Sequence, residues 1–390
     1  MNRVFVVSAC RTPIGKTAGS LSKVRDTQLM ALTLAETVRR TNIAGIMIDS
    51  VYVGSCFPQE SYNLARKSTL YAGIADTVPG ATINRTCCSS MEAIVQGARQ
   101  IMVGDANVVL VGGVENMSSS PHVMRNAIKN ARSMVNGELP LLDSLKVDTT
   151  DDIGLTIECL AIKYNITRKE QDDYAILSHR RAAKAMRSGC FNNEIFPISI
   201  TEEDQNIELS YDENVNQNID EGLFYNDKPI FVRDGTVTKS NASSINDGAS
   251  AMLLMSENAV NKYDIKPLAE YITSDVIGVS PKNMGITPAL VVENILRKQK
   301  LSLKNIDLIE CNEAYAAQIL ACQRILDWDI EKVNMSGGSI ALGHPLGCSG
   351  IRICVTLIYT MQREKYELGL ASMCAGGGMG QGVLFRNYRG

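Results

Sequence analysis

Two adjacent thiols at the start of a predicted helix are the first feature of this sequence suited to covalent chemistry. The stretch Ile83-Asn84-Arg85-Thr86-Cys87-Cys88-Ser89-Ser90-Met91-Glu92-Ala93 leads from a turn-rich segment into that helix, where apolar residues recur with helical spacing. Unpaired backbone N–H groups and the helix dipole favour thiolate over thiol at such a position, and a thiolate is a nucleophile. The alternative is that Cys87 and Cys88 are small buried hydrophobic residues, as most cysteines in intracellular enzymes are.

Four other short stretches place polar or reactive groups at turns. Asn312 follows a predicted strand and precedes a helix, which is the end of a strand where ligands gather in α/β sheets. His344 lies between a glycine and a proline, and Cys374 precedes the run Gly376-Gly377-Gly378, whose N–H groups can approach a ligand closely. Ser240-Asn241-Ala242-Ser243 forms a small polar loop before a strand.

Each of these stretches also has a purely structural interpretation. A lone histidine on a turn is more often structural, glycine runs usually form tight turns, and Asn-Glu at a helix start is usually a cap. The glycine run does not match G-x-G-x-x-G and leads into a strand, and no G-x-x-x-x-G-K-[ST] occurs. The sequence therefore predicts neither a dinucleotide site nor a P-loop.

Strands alternate with helices along much of the chain, which is typical of a layered α/β core. The predicted strands are Val4–Ala9, Val51–Cys56, Asn107–Gly113, Ala249–Met255, Ile306–Cys311, Val333–Met335, Gly369–Cys374 and Gln381–Arg386. The predicted helices are Thr27–Thr41, one from Met91 onward, Arg168–Met186, Ala289–Arg297, Ala314–Leu326 and Ile351–Met361. The region from about Met117 to Lys239 has long polar connections, so we expect an inserted, mostly helical subdomain whose loops cover a site, the alternative being solvated loops.

Composition excludes several classes of protein. Hydrophobic content of 45% and charged content of 21% in 390 residues are those of a globular protein. Lys+Arg 39 and Asp+Glu 42 give 39 − 42 = −3, which predicts no nucleic-acid or membrane partner. The N-terminus reads as a strand rather than a signal peptide. Eleven cysteines without a C-x-x-C pair, together with three histidines, predict no metal site and no disulfide framework, and reduced thiols indicate the cytoplasm.

Two segments of the sequence show the same order of features, which is weak evidence for an internal repeat. Cys87-Cys88-Ser89-Ser90 opens a helix, and a strand ending in Gly112-Gly113 follows. Gly347-Cys348-Ser349-Gly350 opens another helix, and a strand leading into Gly376-Gly377-Gly378 follows. Few identities support a repeat, but two halves of similar plan would meet face to face.

Taken together, these stretches resemble the sequence pattern of the thiolases. The matching segments run nearly end to end: Ser8–Lys16, Asn84–Ala93, Gly112–Ser118, Asp234–Thr238, Asn241–Ser243, Asn246–Ala249, Asn312–Ala316, Gly337–Gly350 and Cys374–Gly380. The resemblance implies a five-layered αβαβα fold of two similar halves with an inserted loop domain, a homodimer or homotetramer, and an acyl-CoA substrate. The expected division is residues 1–117 with 246–267 for the N-terminal half, 118–245 for the loop domain and 268–390 for the C-terminal half.

The resemblance also implies a role for each catalytic residue. Cys87 is the expected nucleophile, which takes the acyl group as a thioester, and Cys374 is the expected acid and base. His344 is expected to activate Cys87 and to help bind the thioester oxygen, while Asn312 holds a water that completes this oxyanion hole. The backbone N–H groups of Cys87 and Gly376 are expected to form the other hole.

Ser243 is the expected contact to the pantetheine arm, and further substrate contacts are expected on the same grounds at Met284, Phe231, Ala242 and Tyr315. No metal or redox cofactor is required, because coenzyme A is substrate and product. A Claisen step needs an enolate-stabilising hole with a base close to it. A depressed thiol pKa would let one cysteine act as nucleophile and the other as base.

Several positions depart from the family pattern. Ser90 replaces a usual glycine, and we expect it to narrow the acyl pocket or to shift the loop, whereas Cys88 is expected to be inert. Asp152-Ile153 stands where acetoacetyl-CoA thiolases commonly have His-Met, and Thr287 stands where glycine is common. The segment from Ser188 to Asp227 has no basic residue to nominate for the 3′-phosphate of coenzyme A.

The expected activity is that of an acetyl-CoA C-acetyltransferase, which joins two acetyl-CoA into acetoacetyl-CoA and CoA, or reverses this. One alternative is a 3-ketoacyl-CoA thiolase that cleaves longer chains in fatty-acid degradation. A ketoacyl synthase often uses two histidines, whereas this chain supplies Cys374 at the second position. The substitutions at Ser90 and Thr287 motivate a third alternative, a non-catalytic acyl-CoA-binding or thiol-redox protein.

Overall fold

The computed structural model describes residues 1–43, 46–123, 139–140, 153–202 and 205–388. Its strands are β1 (Val4–Arg11), β2 (Gly15–Lys16), β3 (Ser50–Gly54), β4 (Gly80–Ile83), β5 (Val108–Asn116), β6 (His122–Val123), β7 (Leu139–Pro140), β8 (Ile198–Glu202), β9 (Gln205–Leu209), β10 (Asn246–Ser256), β11 (Ala269–Gly278), β12 (Leu308–Cys311), β13 (Leu368–Ala375) and β14 (Met379–Asn387). Its helices are α1 (Asp26–Arg39), α2 (Leu64–Tyr71), α3 (Ser89–Val103), α4 (Ile153–Lys163), α5 (Arg168–Arg187), α6 (Glu221–Tyr225), α7 (Glu257–Tyr263), α8 (Thr287–Gln299), α9 (Ala316–Leu326), α10 (Ser339–Leu342) and α11 (Leu346–Glu364).

The main sheet is built from two halves that share one hydrogen-bonded path. Its strand order is β12-β13-β14-β11-β1-β10-β5-β3-β4, and β2 pairs with β10 at the side. The halves meet where Val4–Val6 of β1 pair with Ala269–Tyr271 of β11. Parallel pairing occurs within each half, between β3 and its neighbours β4 and β5 and between β12 and β13.

Side-chain alternation along the strands divides the core into layers. In β5, Val109 and Val111 pack with α3 and α11 in the middle of the molecule, whereas Leu110 packs on the opposite face with α1. In the other half, Ala371 faces the same middle layer and Leu370 faces the outer helices α8 and α9. The order of layers is therefore helix, sheet, helix, sheet, helix, and the expected five-layered αβαβα fold is confirmed.

The helices of the middle layer contact each other directly at Ser90. Its hydroxyl accepts a hydrogen bond from the N–H of Ile351 at 3.0 Å and donates one to the carbonyl of Cys348 at 3.2 Å. Gly350 leaves room for this approach, because a Cβ atom there would lie 2.5 Å from the backbone nitrogen of Met91. The contact holds the starts of α3 and α11 side by side.

A buried ion cluster fastens the insertion to the first strand. The guanidinium of Arg11 lies 2.7 Å from Glu194 and makes a bidentate pair with Asp212 at 2.7 and 2.9 Å. All three side chains are at most 1% exposed. A bidentate pair of this kind has a defined geometry, so the chain before β8 and after β9 keeps a fixed place on the core.

The predicted elements are found with shifted ends, with three corrections. Val333–Met335 is not a strand, because Val333 makes only an isolated bridge to Ile309. The described part of the insertion is not only helical, since β8 and β9 form an antiparallel hairpin and β6 pairs with β7. Strand β11 was not predicted at all, because polar residues interrupt its apolar pattern.

Candidate active site

Two thiols from opposite ends of the chain open into one cavity. Cys87 precedes α3 and Cys374 is the next-to-last residue of β13, and both line a space of about 140 Å³ that His344 and Gly376 also line. The remaining lining residues are mostly apolar: Met117, Ile153, Ser243, Ser244, Ile245, Met284, Ala314, Tyr315, Leu346 and Ala375. The structure thus brings together four of the five predicted catalytic residues.

A tight turn presents Cys87 to the cavity. Thr86 has a φ of 47°, a left-handed conformation that is uncommon for a threonine. The hydroxyl of Ser89 stabilises the turn, because it accepts from the N–H of Arg85 at 2.9 Å and donates to the carbonyl of Thr86 at 2.5 Å. The helix begins at Ser89 with Cys88 as its N-cap, so Cys87 lies before the cap and remains partly exposed.

The electrostatic expectation for the thiols was wrong. Burial raises the pKa of Cys87 to about 11, although its own N–H and that of Gly376 point at the sulfur and oppose the rise. Burial also raises the pKa of Cys374 well above its usual value, and negative charge on Cys87 raises it further. Both residues are therefore thiols at rest, because for Cys87 desolvation outweighs the two backbone N–H groups and for Cys374 it acts with the charge on Cys87.

The neighbouring Cys88 has a different environment. Its side chain is fully buried in the middle layer, and its sulfur lies 3.9 Å from the carbonyl oxygen of Met373. Burial raises its pKa well above the usual value. This placement agrees with the prediction that Cys88 is inert.

The hydrogen bonds of His344 determine its tautomer. Nδ1 lies 2.6 Å from the hydroxyl of Ser349, and that hydroxyl donates its single proton to the carbonyl of Pro345 at 2.8 Å. Nδ1 must therefore carry the proton, which leaves Nε2 with a lone pair. Burial, together with the positive charge of Arg352, lowers the pKa of His344 to about 3, so the imidazole is neutral.

The turn that carries His344 depends on a glycine. Gly343 has a φ of 105°, and a Cβ atom there would lie 2.4 Å from the side chain of Asn246. The N–H of His344 donates to Oδ1 of the same Asn246 at 3.1 Å. These contacts fix the backbone from which the imidazole projects.

Asn312 lies behind His344 rather than on the cavity wall. It is fully buried just after β12, and its Nδ2 lies 3.4 Å from Nε2 of His344. Its Oδ1 accepts from the hydroxyl of Ser339 at 2.6 Å. An amide hydrogen is thus directed toward the imidazole.

Three of the five predicted substrate contacts line the cavity, namely Ser243, Met284 and Tyr315. Ala242 instead pairs with Tyr315 through the backbone, and the ring of Phe231 meets the ring of Tyr315 edge-on, with centroids 6.4 Å apart. Ala242 and Phe231 support the wall without being part of it, and their contact with substrate stays a prediction.

Sequence reasoning did not identify four apolar residues that line the cavity: Met117, Ile153, Ile245 and Leu346. Met117 follows the last residue of β5, and the rule that ligands gather at the carboxyl ends of strands would have found it. Leu346 starts α11 two residues after His344, and Ile245 follows Ser243. Ile153 occupies the family's methionine position noted above, whereas Asp152 lies outside the described residues.

The two unusual hydroxyl residues are structural in position. Ser90 is fully buried between α3 and α11 and does not line the catalytic cavity, so the expectation that it narrows the acyl pocket was wrong. Thr287 is also fully buried, and its hydroxyl lies 2.7 Å from the carbonyl of Met284 and 2.9 Å from that of Met379. It ties the start of α8 to the strand that follows the glycine run.

All eleven cysteines of the chain are unpaired. No helix in the described ranges combines the length and the apolar character needed to cross a membrane.

Comparisons with known proteins match the whole length of the chain. Residues 4–258 match the family model described as thiolase, N-terminal domain, and residues 265–387 match thiolase, C-terminal domain. An acetyl-CoA acetyltransferase of Cupriavidus necator is 39% identical over 388 residues, covering 97% of this chain and 98% of the relative. A probable acetyl-CoA acyltransferase of Staphylococcus aureus is 38% identical over 397 residues, with both chains covered completely.

Solved structures agree with these matches. The Bacillus anthracis acetyl-CoA acetyltransferase has a TM-score of 0.96 at 40% identity, covering 100% of this chain and 99% of the other. Human mitochondrial 3-ketoacyl-CoA thiolase has a TM-score of 0.93 at 39% identity, with 99% of both chains covered. Its complex with CoA has a TM-score of 0.92 at 39% identity, covering 99% and 98%. On these matches and on the fold, the chain belongs to the thiolase family.

Proposed function

We propose that this thiolase is an acetyl-CoA C-acetyltransferase, which reversibly converts two acetyl-CoA into acetoacetyl-CoA and CoA. The observation that carries the proposal is the convergence of Cys87, Cys374, His344 and the N–H of Gly376 on one small cavity. A thiol with a neutral imidazole and a backbone N–H beside it can form and break a thioester, and a second thiol supplies the proton transfer that carbon chemistry needs.

In the first half-reaction, the sulfur of Cys87 attacks the thioester carbonyl of acetyl-CoA while its proton passes to Nε2 of His344. The carbon–sulfur bond to CoA breaks, and the leaving thiolate takes the proton from the imidazole to give CoASH. The N–H groups of Cys87 and Gly376 stabilise the negative oxygen of the tetrahedral intermediate. Acetyl-Cys87 is the product of this step.

In the second half-reaction, Cys374 first releases its own proton to solvent, and the resulting thiolate removes a proton from the methyl carbon of a second acetyl-CoA. A water that Asn312 holds stabilises the resulting enolate oxygen, because Nε2 of the neutral His344 has no proton to donate. The enolate carbon attacks the carbonyl of acetyl-Cys87, and the carbon–sulfur bond to Cys87 breaks. The methyl proton passes from Cys374 to the thiolate of Cys87, and Cys374 takes up a proton from solvent, so both thiols are restored.

The electrostatics of the pair set one condition on this sequence. Negative charge on Cys87 raises the pKa of Cys374, so Cys374 ionises more readily while Cys87 is an uncharged thiol or thioester than while it is a thiolate.

A short acyl group is supported by the size and lining of the cavity. The space of about 140 Å³ is bounded by Met117, Ile153 and Met284. Relatives named for acetyl-CoA point the same way, whereas the likeness to human mitochondrial 3-ketoacyl-CoA thiolase favours longer substrates. Thiolysis of acetoacetyl-CoA should exceed that of longer 3-ketoacyl-CoA by at least about tenfold in kcat/KM, about 1.4 kcal/mol. A smaller ratio would favour the longer-chain activity.

Mass spectrometry of the labelled protein tests the chemistry itself. Incubation with acetyl-CoA should add one acetyl group to Cys87 and protect it from iodoacetamide, while Cys88 remains unmodified. No acetyl adduct on Cys87, or equal labelling of both cysteines, would favour a non-catalytic protein or a shifted motif.

The assembly and location follow the same proposal. We infer a homodimer or homotetramer, supported by the edge strand β4, which is partly exposed and leads directly into the turn of Cys87. Eleven unpaired cysteines support a reducing compartment such as the cytoplasm. Light scattering in solution would test the assembly, and a monomer would contradict it.

A further inference from the structure

A chain of buried hydrogen bonds runs from Arg352 on α11 to His344. Nη2 of Arg352 lies 2.7 Å from the hydroxyl of Ser339, which lies 2.6 Å from Oδ1 of Asn312. Nδ2 of Asn312 lies 3.4 Å from Nε2 of His344. Arg352, Ser339 and Asn312 are fully buried and His344 is 5% exposed, so bulk water does not compete for these bonds.

The chemistry of its two ends gives this chain one direction. A guanidinium can only donate, so the hydroxyl of Ser339 accepts from Arg352 and gives its own proton to Oδ1 of Asn312. At the other end, Nε2 of His344 has a lone pair and can only accept. The amide of Asn312 therefore has its oxygen on Ser339 and its NH₂ group toward His344, and the reverse orientation would set acceptor against acceptor.

Burying the guanidinium of Arg352 would be energetically unfavourable if the side chain served only to fill space. Among the described residues, its Nε and Nη1 have no hydrogen-bond partner, and neither has Oε1 of the nearby buried Glu310. Burial raises the pKa of Glu310 to about 8, although the positive charge of Arg352 opposes the rise. A buried guanidinium with unused donors is unfavourable, and an apolar side chain would fill the space without that cost.

The hydrogen bond that Arg352 donates to Ser339 is one that an apolar residue could not make. We propose that Ser339 and Arg352 are positioning residues, which hold the amide hydrogens of Asn312 toward His344 and the water of the oxyanion hole. The inference rests on the proposed acyl transfer, because it assigns a task to Asn312 in that reaction. Neither residue touches the cavity, so their effect on the reaction passes through Asn312.

A double-mutant cycle tests this route. Ser339→Ala should lower kcat for acetoacetyl-CoA thiolysis about tenfold with KM unchanged, and Asn312→Ala should lower it about a hundredfold. The double variant should be no slower than Asn312→Ala alone, because residues that act through one another are not additive.

Ser68→Ala is the matched control. Ser68 is also fully buried, and its hydroxyl donates to the carbonyl of Thr27 at 3.0 Å, where neither residue lines the cavity. Both serine variants should show similar decreases in unfolding midpoint, and only Ser339→Ala should lose kcat. Additive losses in the cycle, or a kcat for Ser339→Ala equal to that of Ser68→Ala, would overturn the inference. Failure of the proposed function is a separate result, since the wild-type protein would then form no acetyl-Cys87.

Discussion

The segments Cys87–Ser90 at the start of α3 and Gly347–Gly350 at the start of α11 share a Cys-Ser pair, but the two helix starts have different roles. Cys88 and Cys348 occupy the same place in the pair, and both are buried thiols. One residue earlier, Cys87 opens onto the cavity, whereas Gly347 has no room for a side chain, because a Cβ atom would lie 2.6 Å from the carbonyl of Val114. Only the first helix start can therefore carry a nucleophile.

The serines that follow show the same division. Ser89 reaches back to the carbonyl of Thr86 and shapes the turn of Cys87, while Ser349 reaches back to the carbonyl of Pro345 and holds the imidazole of His344. One helix start presents the reacting sulfur, and the other orients its base.

The comparison also shows that Cys87 and Cys348 differ in the surroundings of the sulfur atom and not in the pKa of the thiol. Burial raises the pKa of Cys87 and of Cys348 to about 11, so the two thiols do not differ in this respect. They differ in their neighbours: Cys348 is 1% exposed with its sulfur 3.3 Å from the hydroxyl of Ser250, whereas Cys87 faces the cavity with the N–H of Gly376. Reactivity here follows from what the sulfur can reach.

The largest effect is expected from the contrast between Cys87, which opens onto the cavity, and the buried cysteines Cys88 and Cys348. Cys87→Ala should lower turnover at least about ten-thousandfold, because it removes the atom that carries the acyl group. Cys348→Ala and Cys88→Ala should remain within about threefold of wild type and lose about 1 kcal/mol of unfolding free energy from the small cavities they leave. Steady-state thiolysis and denaturant unfolding measure both quantities. An equal loss of turnover in Cys348→Ala would contradict the claim that only the start of α3 carries a nucleophile.

The next effect concerns the two serines. Ser349→Ala removes the acceptor of Nδ1–H, so His344 loses its fixed tautomer, and kcat should fall about 10- to 100-fold. Ser89→Ala should have a smaller effect, because other bonds still support the turn, including the one that the N–H of Thr86 donates to Oδ1 of Asn84 at 2.9 Å. Single-turnover release of CoA from acetyl-CoA measures both variants. A greater loss in Ser89→Ala would show that the turn, not the tautomer, limits acetylation.

A smaller effect, on stability rather than rate, is expected where the two starts touch. Gly350→Ala forces a Cβ atom against the backbone of Met91 and should cost up to about 3 kcal/mol. Ser90→Ala removes two hydrogen bonds to α11 and should cost about 1 kcal/mol with kcat nearly unchanged. Urea unfolding would measure both. A large loss of kcat in Ser90→Ala would restore the idea that Ser90 shapes the acyl pocket.

The smallest effect is expected from pH. The raised pKa of Cys87 keeps it a thiol below about pH 11, and the lowered pKa of His344 keeps it neutral above about pH 3. The acetylation rate of Cys87 should therefore be flat between about pH 5 and 9, since neither group changes its protonation there. A stopped-flow profile with a limb near pH 7 would show a thiolate–imidazolium pair instead.

Local sequence predicted most of the long strands and helices, though not α2, α4 or α7, and it predicted the motifs that carry Cys87, His344 and Cys374, because each depends on neighbours along the chain. It could not predict β11, which is a strand through its pairing with β1 and β14. The prediction that the thiol pKa values are depressed was wrong for a related reason, because the burial that raises them depends on the whole fold. Ser90 was misassigned because its partner Ile351 lies 261 residues away. The division at residues 117, 245 and 267 stays a prediction.

The ion cluster of Arg11 restricts how substrates can enter. Swinging the insertion away as one body would strip Glu194 and Asp212 of their buried counter-charge, at a cost of about 3–5 kcal/mol. If that cost recurred in each catalytic cycle, it would slow the cycle by a factor of about a hundred to several thousand. Coenzyme A must therefore come and go through movements smaller than a hinge opening, with the stem of the insertion left in place.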